Sequence, residues 1–297
     1  MSPLDSHENR KLGILWMLAT LLCFVTLDAI MKHLLERYPL VQVTWARFFF
    51  ATIIAIAVCG PNIGKLAKSH APGKQALRSV LLMSTTAMFN AGIRSTSLAT
   101  ATTIMFLSPI LITLLSIPLL GEKVGIRRWS GILVGFLGAI IVVQPWESGF
   151  GGTGVGVLFL LAAALLNANY QIMTRVVRHD DPLTTLLFTA TAGALVTSLI
   201  VPWFWAWPTA FDWLLLVGSG LAGALGHLCL IRALRLAPAS VVAPFSYSSL
   251  VWATIFGFTI WGDWPNFWTW LGAALIIGSG LYIFHRERRH IAVAVES

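Results

Sequence analysis

Charged residues are scarce in this chain. Only 11% of its 297 residues are Asp, Glu, Lys or Arg, whereas 57% are hydrophobic. Soluble domains carry about 25% charged residues, so this chain lacks the polar groups needed to cover a water-facing surface. The composition therefore argues against a soluble enzyme, a nucleic-acid-binding domain or a disordered protein. The net charge of +8 is better explained by membrane topology than by a nucleic-acid partner.

Cysteines and catalytic motifs are also sparse. The three cysteines, Cys23, Cys59 and Cys229, lie in apolar runs without CxxC spacing, and we interpret them as small apolar residues. The sequence contains no HExxH motif and no metal-ligand cluster, and no Ser, His and Asp set can be placed at one depth. We therefore expect a protein that is not an enzyme, with no catalytic residues, no metal and no cofactor.

Long apolar runs dominate what is present. About 20 apolar residues are needed for a helix to cross the hydrocarbon core of a membrane. The runs are continuous, whereas the strands of a membrane barrel would alternate. The pattern predicts an all-α integral membrane protein with ten transmembrane helices, at Leu12 to Leu34, Leu40 to Cys59, Ala76 to Ile93, Ser97 to Leu119, Gly125 to Val143, Gly154 to Val176, Leu183 to Phe204, Trp213 to Leu234, Ala239 to Trp261 and Phe267 to Phe284.

Basic residues are distributed unequally between the two sides of these predicted spans. Lys32, Arg37 and Arg94 fall on one side, and Arg47 lies within a span. Because cytoplasmic loops are enriched in Lys and Arg, the imbalance predicts an inner-membrane protein with a cytoplasmic N-terminal tail (1–11) and a cytoplasmic C-terminal tail (286–297). The other side carries Arg10, Lys11, Lys65, Lys68, Lys74, Arg78, Lys123, Arg127, Arg128, Arg175, Arg178, Arg232, Arg235, Arg286, Arg288 and Arg289.

The two halves of the chain resemble each other. A shift of 143 residues aligns Gly13 with Gly156 and Pro39 with Pro182, and shifts of 138 and 141 align further positions. We therefore expect two repeats, at 12–145 and 154–285, each with five helices. Since five is odd, the second repeat enters from the opposite face. Such inverted repeats recur in secondary transporters, where the substrate binds near the midplane between them.

Specific motifs add a resemblance to a known family. Ser108-Pro109 is followed by Leu120-Gly121-Glu122, and a degenerate second copy has Asp263 and Leu250 instead of Glu and Pro. The chain resembles the EamA-type permeases of the drug/metabolite transporter superfamily over nearly its full length. Its opening segments, 28–32, 38–39, 42–43 and 45–47, resemble the branch that includes S-adenosylmethionine and riboflavin importers. The resemblance implies ten helices, no use of ATP, and a central cavity lined mainly by helices one, three, four, six, eight and nine.

Asp28, Arg47 and His227 lie well inside predicted spans, where a charge is costly unless it has a partner or water. Asp28 and Arg47 are at similar depths from the same face, so they are candidates for an ion pair that locks two helices. Alternatively, Asp28 contacts substrate or takes a proton. Whereas His33 lies next to the end of the first span, His227 lies in the interior of its span. It is a candidate for proton coupling or a hydrogen-bonded packing residue.

Uncharged polar residues mark a candidate substrate site. Asn167, Tyr170 and Gln171 share one face of the sixth predicted helix. The alternative is that they form hydrogen bonds between helices. Three further candidates on the third, fourth and ninth helices are Asn90, Ser108 and Tyr247.

These patterns favour a secondary transporter that moves a small organic metabolite by alternating access. An amino acid, a vitamin or a nucleoside-like compound would suit the polar and aromatic side chains, and amino acid transport is one expectation. The expected partners are a small-molecule substrate, membrane lipid and protons as a candidate coupling ion, without nucleic acid, in a monomer or homodimer. A non-transporting membrane scaffold, a passive pore and a lipid flippase remain alternatives.

Overall fold

The computed structural model describes residues 7–120, 126–144, 152–177, 179–237 and 239–296. Over these residues the protein consists of helices and connecting turns, without a β-strand. The main helices are α1 (His7–Leu35), α2 (Leu40–Cys59), α3 (Pro72–Ile93), α4 (Leu98–Met105), α5 (Ser108–Leu120), α6 (Ile126–Val143), α7 (Gly152–Val176), α8 (Pro182–Ile200), α9 (Ala210–Leu236), α10 (Ser249–Phe256) and α11 (Phe267–Glu296).

Six stretches are long and apolar enough to cross a membrane: Lys11–Leu35, Leu40–Cys59, Leu98–Leu115, Gly154–Val176, Pro182–Phe204 and Ala210–Leu236. They establish a multi-pass membrane protein. The third predicted span forms one helix, α3, but its polar side chains lower its hydropathy. In the fifth and tenth, the apolar helices within the described residues are shorter, at Trp129–Val143 and Phe267–Tyr282.

Two predicted spans are interrupted. The fourth is divided into α4 and α5 around Phe106 and Leu107, just before Pro109. The ninth contains a 3₁₀ segment, Ala243–Ser248, ahead of α10 and a π-helical segment, Gly257–Trp261, after it. Proline removes a backbone donor and disfavours an uninterrupted α-helix, and serine can supply a replacement bond. After the 3₁₀ segment, the Ser249 hydroxyl donates to the Ser246 carbonyl at 2.8 Å.

Helix packing follows a repeated pattern. Helix α1 packs on α9 as α7 packs on α3, and α2 packs on α9 as α8 packs on α3. Helix α5 contacts α7 as α10 contacts α1, while α2 and α8 pair with each other, as do α6 and α11. If each helix of the first half is matched with its counterpart in the second, each of these contacts is mapped onto another of them or onto itself. This is a two-repeat membrane fold.

Contacts between helix ends define two opposite ends of the molecule. At the Tyr38 end, Tyr38 meets Asp212, and Lys32 meets both Thr96 and Asp263. At the Asp180 end, the turn between α7 and α8 meets the segment between α2 and α3 through Ser69, His70 and Gln75. Helix α1 therefore ends at the Tyr38 end, whereas α7 ends at the Asp180 end.

The apolar core is unevenly distributed along this axis. The largest cluster contains Leu27, Leu34 and Leu35 of α1, which are almost completely buried, together with Ile93 of α3. Leu34, Leu35 and Ile93 fill the interior near the Tyr38 end. At the Asp180 end, Met17 and Leu21 of α1 pack with Ala233 of α9 in a smaller buried cluster, whereas residues 81–84 of α3 and 227–231 of α9 keep part of their surface exposed. The interior is therefore packed less completely at its centre than at the Tyr38 end.

Candidate functional site

Two opposite charges lie deep in the protein. Asp28 precedes the end of α1 by seven residues, and Arg47 follows the start of α2 by seven, which places each about 10 Å from the Tyr38 end. Both side chains are partly exposed. They attract each other electrostatically, yet they form no ion pair, since no nitrogen–oxygen distance between them falls within 4.0 Å. The sequence-based interpretation of a direct ion pair is thus not realised in this structure.

Arg47 also lacks a hydrogen-bond partner among the described residues. Its guanidinium lies over the Phe48 ring, 5.6 Å from the ring centroid, and interacts electrostatically with Tyr170 as well as Asp28. A guanidinium has five N–H donors. In this interior position, those donors remain available to water or to a bound molecule.

A second arginine, Arg78, is fully engaged. Its Nε donates to Thr174 Oγ1 at 2.8 Å, and Nη2 donates to the Tyr170 hydroxyl at 2.6 Å. Nη1 donates to Thr189 Oγ1 at 2.6 Å, and the guanidinium also lies 4.5 Å from the Tyr170 ring centroid. The Arg78 side chain is therefore buried between α3, α7 and α8, so it is not a solvated charge of the kind that sets topology.

The structure brings two predicted substrate-site residues together. Asn167 on α7 donates from Nδ2 to Ser108 Oγ at 3.1 Å, and Ser108 donates to the Ala164 carbonyl at 3.3 Å. Ser108 is the first residue of α5, so this bond ties the helix break to the middle of α7. Asn167 is partly exposed, whereas Ser108 is buried.

The remaining uncharged candidates are dispersed. Asn90 is buried and donates to Thr44 Oγ1 at 3.1 Å, with its own Oδ1 unsatisfied. Tyr247 packs against Phe106, with ring centroids 5.1 Å apart, and its hydroxyl lies against Gly280 of α11. Tyr170 contacts Arg78, as described above, and Gln171 is partly exposed. No contact between described residues joins Tyr247 to Asn167.

His227 lies beside the central charges. Its ring meets Phe24 of α1 edge to face, with centroids 5.1 Å apart. Arg47 and Arg78 both act on it electrostatically. His227 is partly exposed, so α1, α2, α3, α7 and α9 each contribute an ionisable side chain to one central region.

Polar contacts close the Asp180 end. Asp180 accepts hydrogen bonds from the Ser69 hydroxyl, from Gln75 Nε2 at 2.8 Å and from the His70 backbone N–H at 2.9 Å. Its carboxylate also pairs with His70 Nδ1 at 3.0 Å. Burial raises the pKa of this carboxyl, but the hydrogen bonds from Ser69, Gln75 and His70 outweigh it and hold the pKa well below the usual range.

A corresponding cluster closes the Tyr38 end. The Tyr38 hydroxyl donates to Asp212 Oδ2 at 2.7 Å and accepts from the Thr209 N–H at 3.3 Å. Thr209 Oγ1 donates to the same carboxylate oxygen at 2.7 Å. Burial and the bond to Asp212 raise the pKa of the Tyr38 hydroxyl. Nearby, Lys32 donates to the Thr96 carbonyl at 2.7 Å and pairs with Asp263 at 3.3 Å.

Several of these residues were not identified from sequence. Arg78 lies near the end of a predicted span, where a basic residue is usually interpreted as solvent-exposed. A signal was nonetheless present, because Tyr170 and Thr174, and Thr185 and Thr189, are i,i+4 pairs on apolar helices. Glu122 lies outside the described residues. Those that are described contain no group of three or more His, Cys, Asp or Glu side chains arranged to hold a metal.

The paired helices and the charged interior define the class of protein: a two-repeat membrane protein with a polar centre. The model of the EamA-like transporter family matches residues 11–144 and 154–284. The chain belongs to the EamA-like transporter family, whose relatives here are transporters rather than enzymes. Because one model matches both stretches, the two halves of the chain are related.

Named relatives match nearly the whole chain. It is 27% identical over 294 residues to the S-adenosylmethionine uptake transporter of Rickettsia prowazekii (strain Madrid E), covering 99% of each chain. It is 30% identical over 285 residues to the riboflavin transporter of Vibrio cholerae serotype O1, covering 93% of this chain and 94% of that one. A solved crystal structure, 20% identical, matches with a TM-score of 0.63 over 91% of this chain and 98% of its own, which shows a shared fold.

Proposed function

We propose that this protein is a secondary transporter that carries a small organic metabolite by alternating access. The observation that carries the proposal is the interior charge cluster. Asp28, Arg47 and His227 are deep in the fold and partly exposed, and neither Asp28 nor Arg47 forms an ion pair with a residue that the structure describes. Charges inside a membrane protein are costly and usually mark a substrate or ion pathway.

The uneven core supports a carrier rather than a pore. Leu34, Leu35 and Ile93 are buried near the Tyr38 end, while Tyr170 and His227 at the centre remain partly exposed. A carrier alternates between states that are closed at one end or the other. We infer that the Tyr38 end is closed in this structure.

We further propose ten transmembrane helices in two inverted five-helix repeats, at 12–145 and 154–285. The opposite directions of α1 and α7 and the exchange symmetry of the helix contacts support this arrangement. The excess of basic residues at the Asp180 end supports an inner-membrane protein with both termini in the cytoplasm, even with Arg78 removed from the count. The Tyr38 end then faces outward.

Candidate substrates follow from the relatives. Since the similar proteins of Rickettsia prowazekii and Vibrio cholerae are named for S-adenosylmethionine and riboflavin, we propose both compounds as first candidates. The site also suits other amino acids and nucleoside-like compounds. Asp28 and His227 are the candidates for proton coupling. Asn167 and Gln171, which are partly exposed residues of α7, are proposed to contact the substrate.

Counterflow in proteoliposomes tests the proposal. Vesicles preloaded with unlabelled S-adenosylmethionine, or in parallel with riboflavin, should accumulate the labelled compound transiently above its equilibrium level. Uptake should saturate with concentration, and Asn167→Ala should reduce it without loss of folded protein. An imposed pH gradient, with and without a protonophore, then tests coupling. Protein-free vesicles are the control.

Other outcomes would point elsewhere. Flux that neither saturates nor shows counterflow would indicate a passive pore. Movement of labelled lipid between leaflets would indicate a flippase. If a broad panel of metabolites produced no flux and no thermal stabilisation, a scaffold role would be favoured.

A further inference from the structure

Arg47 and Asp28 form an incomplete pair of charges. They come from adjacent helices and lie at the same depth, and each attracts the other. Neither makes a hydrogen bond or ion pair with a described residue, and both keep accessible surface. A charge taken from water without replacement contacts destabilises a protein strongly. Because the two groups lie more than 4.0 Å apart and both keep accessible surface, a molecule with one charge of each sign would satisfy both.

The neighbouring residues limit what that molecule can be. Arg78 is already occupied by Tyr170, Thr174 and Thr189, so it has little capacity for a second anion. The His227 ring lies against Phe24, and both arginines act on it electrostatically. Arg47 thus has guanidinium N–H groups that donate to no described residue. Asp28 is the carboxylate on the adjacent helix.

We propose that Arg47 binds the α-carboxylate and Asp28 the α-ammonium group of an amino-acid zwitterion. This assignment rests on the proposed transport function and specifies its substrate class. A guanidinium matches a carboxylate through two parallel N–H···O bonds. An α-amino acid carries its ammonium and carboxylate groups on the same carbon atom, so one molecule can bridge the incomplete pair.

Aromatic rings beside the pair favour a zwitterion with a large unsaturated or cationic side group. Phe24 lies one helical turn before Asp28 on α1, and the Phe48 ring centroid lies 5.6 Å from the Arg47 guanidinium. Such faces stack on ring systems and attract cations. A neutral ring compound without a zwitterion would leave both charges unpaired, so the site distinguishes S-adenosylmethionine from riboflavin.

Competition against counterflow, combined with thermal stabilisation of the purified protein, tests the assignment. The probes are S-adenosylmethionine, its decarboxylated analogue, its deaminated analogue and riboflavin. The wild type should bind S-adenosylmethionine about tenfold or more tightly than the decarboxylated analogue, the loss expected for a charge-assisted hydrogen bond. In Arg47→Gln this ratio should fall to near one, and Arg47→Lys should restore part of it.

Asp28→Asn should instead remove the preference over the deaminated analogue while preserving the carboxylate preference. Arg94→Gln is the matched control, because Arg94 is exposed beyond the end of α3 and should leave both ratios unchanged. Ratios of ligands within one variant are insensitive to the amount of folded protein. They also separate ligand recognition from a purely structural role of Arg47.

Each remaining outcome counts against the proposal. If Arg47→Gln kept the wild-type preference for S-adenosylmethionine over its decarboxylated analogue, Arg47 would not be the residue that binds the carboxylate. The proposed transport function would be unaffected. If the wild type transported riboflavin but neither bound nor transported S-adenosylmethionine, the zwitterion class would be wrong and the carrier function would stand. If no probe produced flux or stabilisation, both the assignment and the proposed function would fail.

Discussion

At the residue scale, Asp180 illustrates how a turn can stabilise a membrane fold. Its buried carboxylate accepts bonds from Ser69, His70 and Gln75 and so joins two turns distant in sequence. Asp180→Asn should lower the free energy of unfolding at pH 7 by about 1–3 kcal/mol. Thermal unfolding of the detergent-purified variant, compared with wild type, measures this loss.

The pH dependence of this effect has a definite sign. Because the folded-state pKa of Asp180 is depressed, its contribution is complete above the unfolded-state pKa of about 3.9. It is lost as the pH falls through that value toward the folded-state pKa. The difference between wild type and variant should therefore shrink below about pH 4. Asp181→Asn is the control, since Asp181 is exposed and Asn can still cap α8.

At the element scale, α6 and α11 depend on the close approach of their backbones. A Cβ added to Gly272 would lie 2.6 Å from the Gly138 carbonyl oxygen and would also meet the Val142 side chain. On the same helix, a Cβ added to Gly278 would meet no atom within 4 Å. Gly272→Ala should thus destabilise the protein by about 1–3 kcal/mol.

Gly278→Ala should be neutral or stabilising by up to about 1 kcal/mol, because alanine favours the helix. Thermal unfolding of both variants provides the comparison. Equal effects at the two positions would contradict the close-packing argument. The contact between Gly138 and Gly272 is one point where these two backbones approach closely.

Sequence patterns anticipated the helical elements better than their interruptions or partners. Continuous apolar runs identify helices because burial in lipid depends on composition alone. The break around Phe106 and the 3₁₀ segment at Ala243–Ser248 depend on how neighbouring helices replace lost backbone bonds. The Asn167–Ser108 contact was anticipated as a candidate cluster, whereas the position of Tyr247 against Gly280 was not, because no local pattern specifies which helix faces another.

At the scale of the whole molecule, two polar clusters occupy equivalent positions in the repeats. Asp180 links the α7–α8 turn to the start of α3, and Asp212 links the start of α9 to the α1–α2 turn. Repeat exchange maps the first pair of segments onto the second. The two carboxylates nevertheless lie in non-equivalent segments, so each end can be stabilised by its own contacts. Alternating access requires that the closed conformation of one end can be stabilised separately from the closed conformation of the other.

Tyr38→Phe tests this bias. It removes the hydroxyl bonded to Asp212 while keeping the ring, and should cost the closed Tyr38 end about 1–1.5 kcal/mol, shifting the population of the open state roughly tenfold. The readout is labelling of Ile93→Cys, a fully buried position near that end, by an impermeant thiol reagent in a background lacking Cys23, Cys59 and Cys229. Labelling should be faster with Tyr38→Phe than without it, and added substrate should change the rate.

Ser69→Ala, which weakens the cluster at the Asp180 end, should slow the labelling of Ile93→Cys. An unchanged rate in Tyr38→Phe, with folding intact, would show that the Tyr38–Asp212 bond stabilises the fold without biasing which end is closed.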